Sequence, residues 1–333
     1  GNDWYRYHAY NHYQDQLNES SYGERLAVNW ANSLPNERGW KLMISENYSQ
    51  ISQDDDLSEH NGRGLWRDRK EAQCAGALER RLNEYWHLAA DANYYWMEYE
   101  NGVEQYAPLY GWTRWAAGGE FGFAPSKWTD FILSGNYQWY RQDNHDNMFN
   151  NVQKLSRESR GLSVMGGIAT RATEKISYRF LTGWSRFEYA DGLATSDGWT
   201  YQAAVDWEMS ATWRMALLAD SYFQPSERDY GSAIRVDSVS WGLSHSLVRN
   251  KLNATADLAY RREDHVYTAV GHNGDYTDDI LSARLGLTYT LNRYLQIYGS
   301  IEYQENMCSG GAVRGNHYDY DRYRANLGLR LTY

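Results

Sequence analysis

The sequence predicts an all-β fold: a transmembrane, antiparallel, up-and-down β-barrel of about sixteen strands, forming a single domain over residues 1–333. Three observations predict it. Apolar and polar residues alternate in segment after segment, the period of two that puts neighbouring side chains on opposite faces of a strand. Very short turns and longer polar loops alternate strictly along the chain. Aromatic residues make up 16% of it, with 15 Trp and 30 Tyr against 7 Phe. These amphipathic rings suit a membrane–water interface, where one end of the ring is wet.

Composition excludes other classes. The formal net charge is −10, with no basic stripe to hold a nucleic acid. Mean hydropathy is −0.79, and no apolar run approaches the roughly 18 residues of a membrane helix. A barrel stays open because only alternate residues meet lipid. Cys74 and Cys308 cannot build a disulfide framework; they are expected as free thiols, Cys74 in mid-strand and Cys308 in a loop. With no signal peptide in view, the chain reads as the mature form of an exported protein.

The elements follow in order. The first strand is expected over Asp3–Tyr13. The short turns lie at Leu34–Arg38, Leu82–Glu84, Ala124–Lys127, Ala172–Glu174, Ser210–Ala211, Arg249–Asn250 and Leu291–Arg293. Between them run Gln14–Ser21, Ser52–Arg67, Glu100–Leu109, Gln142–Ser156, Ala190–Ser196, Pro225–Gly231, Thr268–Asp275 and Cys308–Asn316, rich in Asp, Asn, Gly and Ser as loops are. Seven short turns and eight long loops make sixteen strands of about 10–14 residues, with both ends on the short-turn side. Short periplasmic turns, longer extracellular loops and an even strand count mark bacterial outer-membrane barrels. A soluble β-sandwich gives no reason for connections to alternate in length.

One face of each strand is apolar with aromatic ends: Leu26, Val28, Trp30; Trp86, Leu88, Ala90, Ala92, Tyr94, Trp96; Trp199, Tyr201, Ala203, Val205, Trp207; Trp213, Met215, Leu217, Ala219. The expected girdle is Trp30, Trp86, Trp96, Trp199, Trp207, Trp213 and Tyr333. The alternation changes phase near Gly183–Tyr189, so an irregular register is expected there. The last strand carries Tyr323, Ala325, Leu327, Leu329, Leu331 and Tyr333 on one side and Arg322, Arg324, Asn326, Gly328, Arg330 and Thr332 on the other. It is expected to pair with the first strand, because lipid cannot satisfy an open edge.

Sixteen strands is a size that leaves an aqueous lumen. The inward positions include Arg25, Lys41, Arg114, Arg179, Arg214, Arg284, Arg322, Arg324 and Arg330, together with Asp91, Glu120, Asp130, Asp206, Asp220, Asp257 and Glu302, and also Glu79 and Glu208. Such a lining of mixed sign tunes ion selectivity, although many of these charges are expected to pair across strands. Ser52–Arg67 and Gln142–Ser156 are the loops long enough to fold inward; both also read as ordinary surface loops.

Other chemistry finds little support. Asp54–Asp56 and Asp143–Asn147 are oxygen-rich, but neither has the spacing of a calcium loop, and no metal site or cofactor is expected. His60, His145, His265, His272 and His317 read as solvated loop histidines. No Gly-x-Ser-x-Gly elbow occurs, and no enzyme is expected. A non-conducting adhesive barrel, binding a surface polysaccharide or a protein through its outer loops, is the alternative; Trp66 and Tyr110 would stack on sugars.

Several hairpins share one wording, a polar turn followed by a strand ending in an aromatic and an acid. Examples are Leu82-Asn83-Glu84-Tyr85-Trp86 running on to Tyr94, Leu291-Asn292-Arg293-Tyr294 running on to Tyr303, and Thr173-Glu174-Lys175-Ile176-Ser177-Tyr178-Arg179-Phe180. Over most of the chain this style resembles the β-barrel porin 2 type of outer-membrane protein. The resemblance implies a bacterial outer-membrane, porin-like channel for passive diffusion of small hydrophilic solutes or ions, often linked to exopolysaccharide loci. The implied partners are outer-membrane lipids and lipopolysaccharide. The terminal aromatic strand resembles the signal read by the barrel assembly machinery. Monomer and homotrimer both stay open.

Overall fold

A computed structural model describes residues 2–7, 19–31, 39–55, 65–99, 112–142, 157–189, 195–225, 233–249, 251–266, 276–310 and 319–331. They form sixteen strands: β1 (Asn2–Tyr7), β2 (Glu19–Ala31), β3 (Gly39–Asp55), β4 (Leu65–Arg81), β5 (Trp86–Tyr99), β6 (Trp112–Ser126), β7 (Thr129–Gln142), β8 (Arg157–Thr170), β9 (Ile176–Tyr189), β10 (Thr195–Trp207), β11 (Trp213–Pro225), β12 (Ala233–Val248), β13 (Leu252–Val266), β14 (Tyr276–Asn292), β15 (Leu295–Gly310) and β16 (Tyr320–Leu331). All lie in one antiparallel sheet whose spatial order is the chain order. This is the up-and-down meander that the alternation of short and long connections predicts. The sheet order runs from β1 to β16; a β16–β1 ladder is not among the described pairings.

The short turns share a local device. Asn83 Oδ1 accepts hydrogen bonds from the Tyr85 and Trp86 amides at 2.8 and 2.9 Å, and Asn292 Oδ1 does the same for Tyr294 and Leu295 at 2.8 and 3.1 Å. Thr173 Oγ1 and Ser210 Oγ play this part at two other turns. A short polar side chain folded onto the backbone two and three residues ahead closes the turn without further residues. The turn expected at Leu34–Arg38 lies outside the described residues.

The outward face is apolar and exposed. Leu327 is 85% exposed, Leu329 67% and Trp199 66%. In water this would be a costly continuous patch; against lipid it is the expected surface. Above the belt, seven strands change character in a single step of two residues. The outward position passes from Trp184 to Arg186, Trp199 to Asp197, Val239 to Asp237, Tyr260 to Arg262, Leu281 to Asp279, Tyr303 to Glu305 and Tyr323 to Asp321. The strands therefore continue past the lipid. This explains why β3, β4 and β14 reach 17 residues, longer than a span requires.

On the other face, side chains meet across intervening strands. Arg179 of β9 reaches Glu120 of β6 at 2.5 Å, and Phe187 of β9 lies 5.7 Å, centroid to centroid, from Tyr140 of β7. Ala233 of β12 belongs to the same buried cluster as Tyr140 and Phe187. Strands sit about 4.8 Å apart, so the direct contact from β6 to β9 requires a sheet curled with this face inside. Gly167 and Gly183 mark a tight part of the curl: a Cβ at either would fall on the backbone of the adjoining strand.

Several expectations are corrected. The register through Gly183–Tyr189 is continuous with both neighbours, from Gly183 opposite Met165 and Thr200 to Tyr189 opposite Ser159. The change of phase has another cause: the inward face itself becomes aromatic at Phe187 and Tyr189. Cys308 lies in β15 and His265 in β13, both in strand where a loop was expected. Ser52–Asp55 belong to β3 and Leu65–Arg67 to β4. Among the described residues neither cysteine forms a disulfide, and Cys74 is exposed. The first strand is described over Asn2–Tyr7 only. Tyr333, Asp56, Tyr110, His60, His145, His272, His317 and the Asp143–Asn147 loop lie outside the described residues.

Candidate functional site

Strand pairing can be followed across the sheet to test whether the predicted inward residues share a face. Lys41 lies opposite Ala31 and Glu79, and Ala31 is an even number of places from Arg25. Glu79 lies opposite Ala89, and Asp91 opposite Gly118, on the same strand face as Arg114 and Glu120. Glu120 faces Ser134, in phase with Asp130; Asp130 faces Ala169, and Ala169 faces Arg179. Arg179 faces Ala204, in phase with Asp206, and Asp206 faces Ala216, in phase with Arg214 and Asp220. Asp220 faces Ser238, in phase with Gly242; Gly242 faces Asp257, and Asp257 faces Arg284. Arg284 faces Glu302, and Glu302 faces Arg324, in phase with Arg322 and Arg330. The sixteen of these charged residues from Lys41 to Arg330 fall on the inside of the curl; the side chain of Arg25 lies outside the described residues. Trp86, Trp96, Trp199, Trp207 and Trp213 fall on the outside; the side chain of Trp30 lies outside the described residues.

Only some of these charges meet. Lys41 Nζ lies 3.1 Å from Glu79, both about half exposed. Arg214 pairs with Glu208 at 2.9 Å near a turn. Glu120 holds the densest group, with Arg179 at 2.5 Å and His87 Nε2 at 3.8 Å. Gly122 gives His87 its room, because a Cβ there would collide with the ring. Arg114 donates to Asn93 at 3.3 Å, Arg284 to Ser300 at 3.4 Å and Arg322 to Gln304 at 2.8 Å. Asp220 accepts from the Ser238 hydroxyl. Arg324 and Arg330 make no ion pair among the described residues and stay exposed on the same face of β16.

A cavity of about 300 Å³ opens on this face, lined by Asp91, Glu120, Asn136, Gln138, Arg179 and Gln202 among others. Towards the long loops the lining changes. Met97, Tyr140, Phe187 and Tyr189 are 1–4% exposed, with Tyr95, Trp112 and Phe223 packed against them. Trp112 lies 5.7 Å from Tyr140, and Phe187 lies 5.5 Å from Tyr189 in an edge arrangement. Ring pairs at these distances attract beyond simple burial. The inside thus has two levels: polar near the turns, aromatic and packed near the loops.

Sequence reasoning missed the aromatic level, His87 and the placement of His265. His265 was expected as a solvated loop residue; it is 2% exposed, on the inner face, between Glu263 and Asp278. The signal was present. His265 is an even number of places from Asp257, and Phe187 from Arg179, so continuing the alternation would have found both.

A family described as Putative beta-barrel porin 2 matches residues 138–333. No curated protein matches the chain. Among solved structures, the chain is similar to the FrpB iron transporter from Neisseria meningitidis. For the F5-1 variant the identity is 10% and the TM-score 0.52, covering 86% of this chain and 53% of that one. For the F3-3 variant the values are 11%, 0.51, 86% and 52%. The chain spans about half the length of these structures, and at such identity the likeness is one of fold, an outer-membrane β-barrel.

Proposed function

The chain belongs to the beta-barrel porin 2 family of the bacterial outer membrane, and from that premise we propose that it is a passive channel for small hydrophilic solutes or ions, associated with exopolysaccharide export. One observation carries the reading. Sixteen charged positions share the inner face of a curled sixteen-stranded sheet whose outer face is a lipid belt. A charged, hydrated wall inside an apolar shell is what a diffusion channel needs. On this reading β16 closes the barrel against β1, and the terminal strand engages the assembly machinery. The charged outward positions above the belt meet lipopolysaccharide. No bond is made or broken.

A second reading has its own observation: aromatic side chains are buried and packed together on the inner face near the loops. A barrel sealed there would be structural or adhesive. Single-channel recording of folded protein in a planar bilayer, with a salt gradient, decides. Steady ohmic steps are expected. No steps above background would overturn the channel and leave the sealed barrel.

A further inference from the structure

Glu263, His265 and Asp278 sit together on the inner face, where β13 and β14 rise above the lipid belt. Glu263 is directly opposite Asp278, and His265 is directly opposite Tyr276. His265 and Asp278 are each 2% exposed. His265 Nε2 lies 3.4 Å from Asp278 Oδ2 and 3.5 Å from Glu263 Oε2. Neither ring nitrogen of His265 has a hydrogen-bond partner of good geometry. A buried imidazole in this condition is unusual, because burying a polar group without a partner costs about 1–3 kcal/mol.

From this geometry we propose that Glu263, His265 and Asp278 form a binding site for a divalent transition metal of the zinc class. The donor set is one imidazole nitrogen and two carboxylates, which suits Zn²⁺ and its neighbours better than Ca²⁺ or Mg²⁺. The spacing fits. Bonds of about 2.0–2.2 Å in a tetrahedral site put neighbouring ligand atoms about 3.3–3.6 Å apart. The two nitrogen-to-oxygen separations have this length, and one donor atom from each of the three residues lies within 4.8 Å of the others.

The surroundings hold the ligands in place. The His265 ring stacks on Tyr276, centroids 4.0 Å apart and planes within 13°. Arg261 Nη2 binds Glu263 Oε1 at 2.6 Å, leaving Oε2 turned to the histidine. Such outer contacts orient metal ligands and are part of a built site. The ligands come from two strands, so a bound ion ties β13 to β14 beyond the lipid.

The test uses the whole protein, refolded in detergent without lipopolysaccharide and stripped with a chelator. Zn²⁺ is titrated against a chromogenic chelator, and Co²⁺ is followed by its visible absorbance. One ion per chain is expected, with affinity falling at least about tenfold in His265→Gln, Asp278→Asn and Glu263→Gln. Folding of each variant is checked by its heat-dependent mobility on gels, and a single folded variant suffices. No binding by the wild-type chain overturns the proposal, leaving an ion-pair triad. Binding unchanged in the folded variants also overturns it, placing the ion elsewhere. Neither result depends on whether the barrel conducts.

Discussion

The two levels of the inner face share one sheet, one alternation and one curl, yet differ in what they do. Near the turns Asp91, Asp206, Arg214, Asp257 and Arg330 are exposed, and so are Arg284 and Arg324 further along their strands. Near the loops Tyr140 is 3% exposed, Phe187 1% and Val236 0%. Charged side chains keep water beside them because dehydrating a charge is costly. Rings drawn together across a tightly curled sheet expel it. If the barrel conducts as proposed, the aromatic level would set how much passes and the charged level which sign passes.

The largest effect should come from breaking the aromatic level. Phe187→Ala removes a fully buried ring that touches Tyr140 and Tyr189. The expected loss is about 3–5 kcal/mol, read by urea unfolding of the protein in lipid vesicles. Conductance should rise with little change in reversal potential. A rise in selectivity instead would mean that the levels are not separable.

Glu120→Gln comes next. It leaves Arg179 without its 2.5 Å partner and His87 without its carboxylate. Arg179 is 38% exposed on its side chain, so water recovers part of the loss. About 1–2 kcal/mol is expected, below the range for a fully buried pair. The reversal potential should move toward anions, because a negative charge leaves the wall.

How much of this was legible in the sequence follows from the same two levels. Where the outer face is apolar and the inner face polar, a period of two assigns every residue. That is why Arg179, Asp257 and Arg324 could be placed by counting, and why the Asn83 and Asn292 turns stood out. Above the lipid the contrast vanishes. Arg262-Glu263-Asp264-His265 is polar on both faces, so it reads as loop although it is strand; Cys308 was misplaced for the same reason. At Trp184–Tyr189 the aromatic residues pass from the outer face at Trp184 to the inner face at Phe187 and Tyr189, and alternation alone gives no phase. The metal-like triad joins residues 263 and 278 through a pairing that no local pattern announces.

A smaller effect separates charge from stability. Arg324→Ala with Arg330→Ala removes two exposed guanidiniums that make no ion pair among the described residues. Stability should change by no more than about 0.5 kcal/mol, while the reversal potential moves toward cations. An unaltered potential would place the selective charges elsewhere on the wall.

The smallest effect sharpens the comparison most. Lys41 and Glu79 face each other at 3.1 Å, with side chains 48% and 40% exposed. By distance alone this pair resembles Arg179 and Glu120. Water sets the two apart, since an exposed pair gains little Coulomb energy and loses side-chain freedom to hold its geometry. A double-mutant cycle of Lys41→Ala and Glu79→Ala should give a coupling of about 0.2–1 kcal/mol. Raising the salt should weaken it further. A coupling as large as the loss in Glu120→Gln would mean that the turn-side level is drier than its exposure implies. The turn-side level would then be as poorly hydrated as the aromatic level, and the proposed division of roles between them would fail.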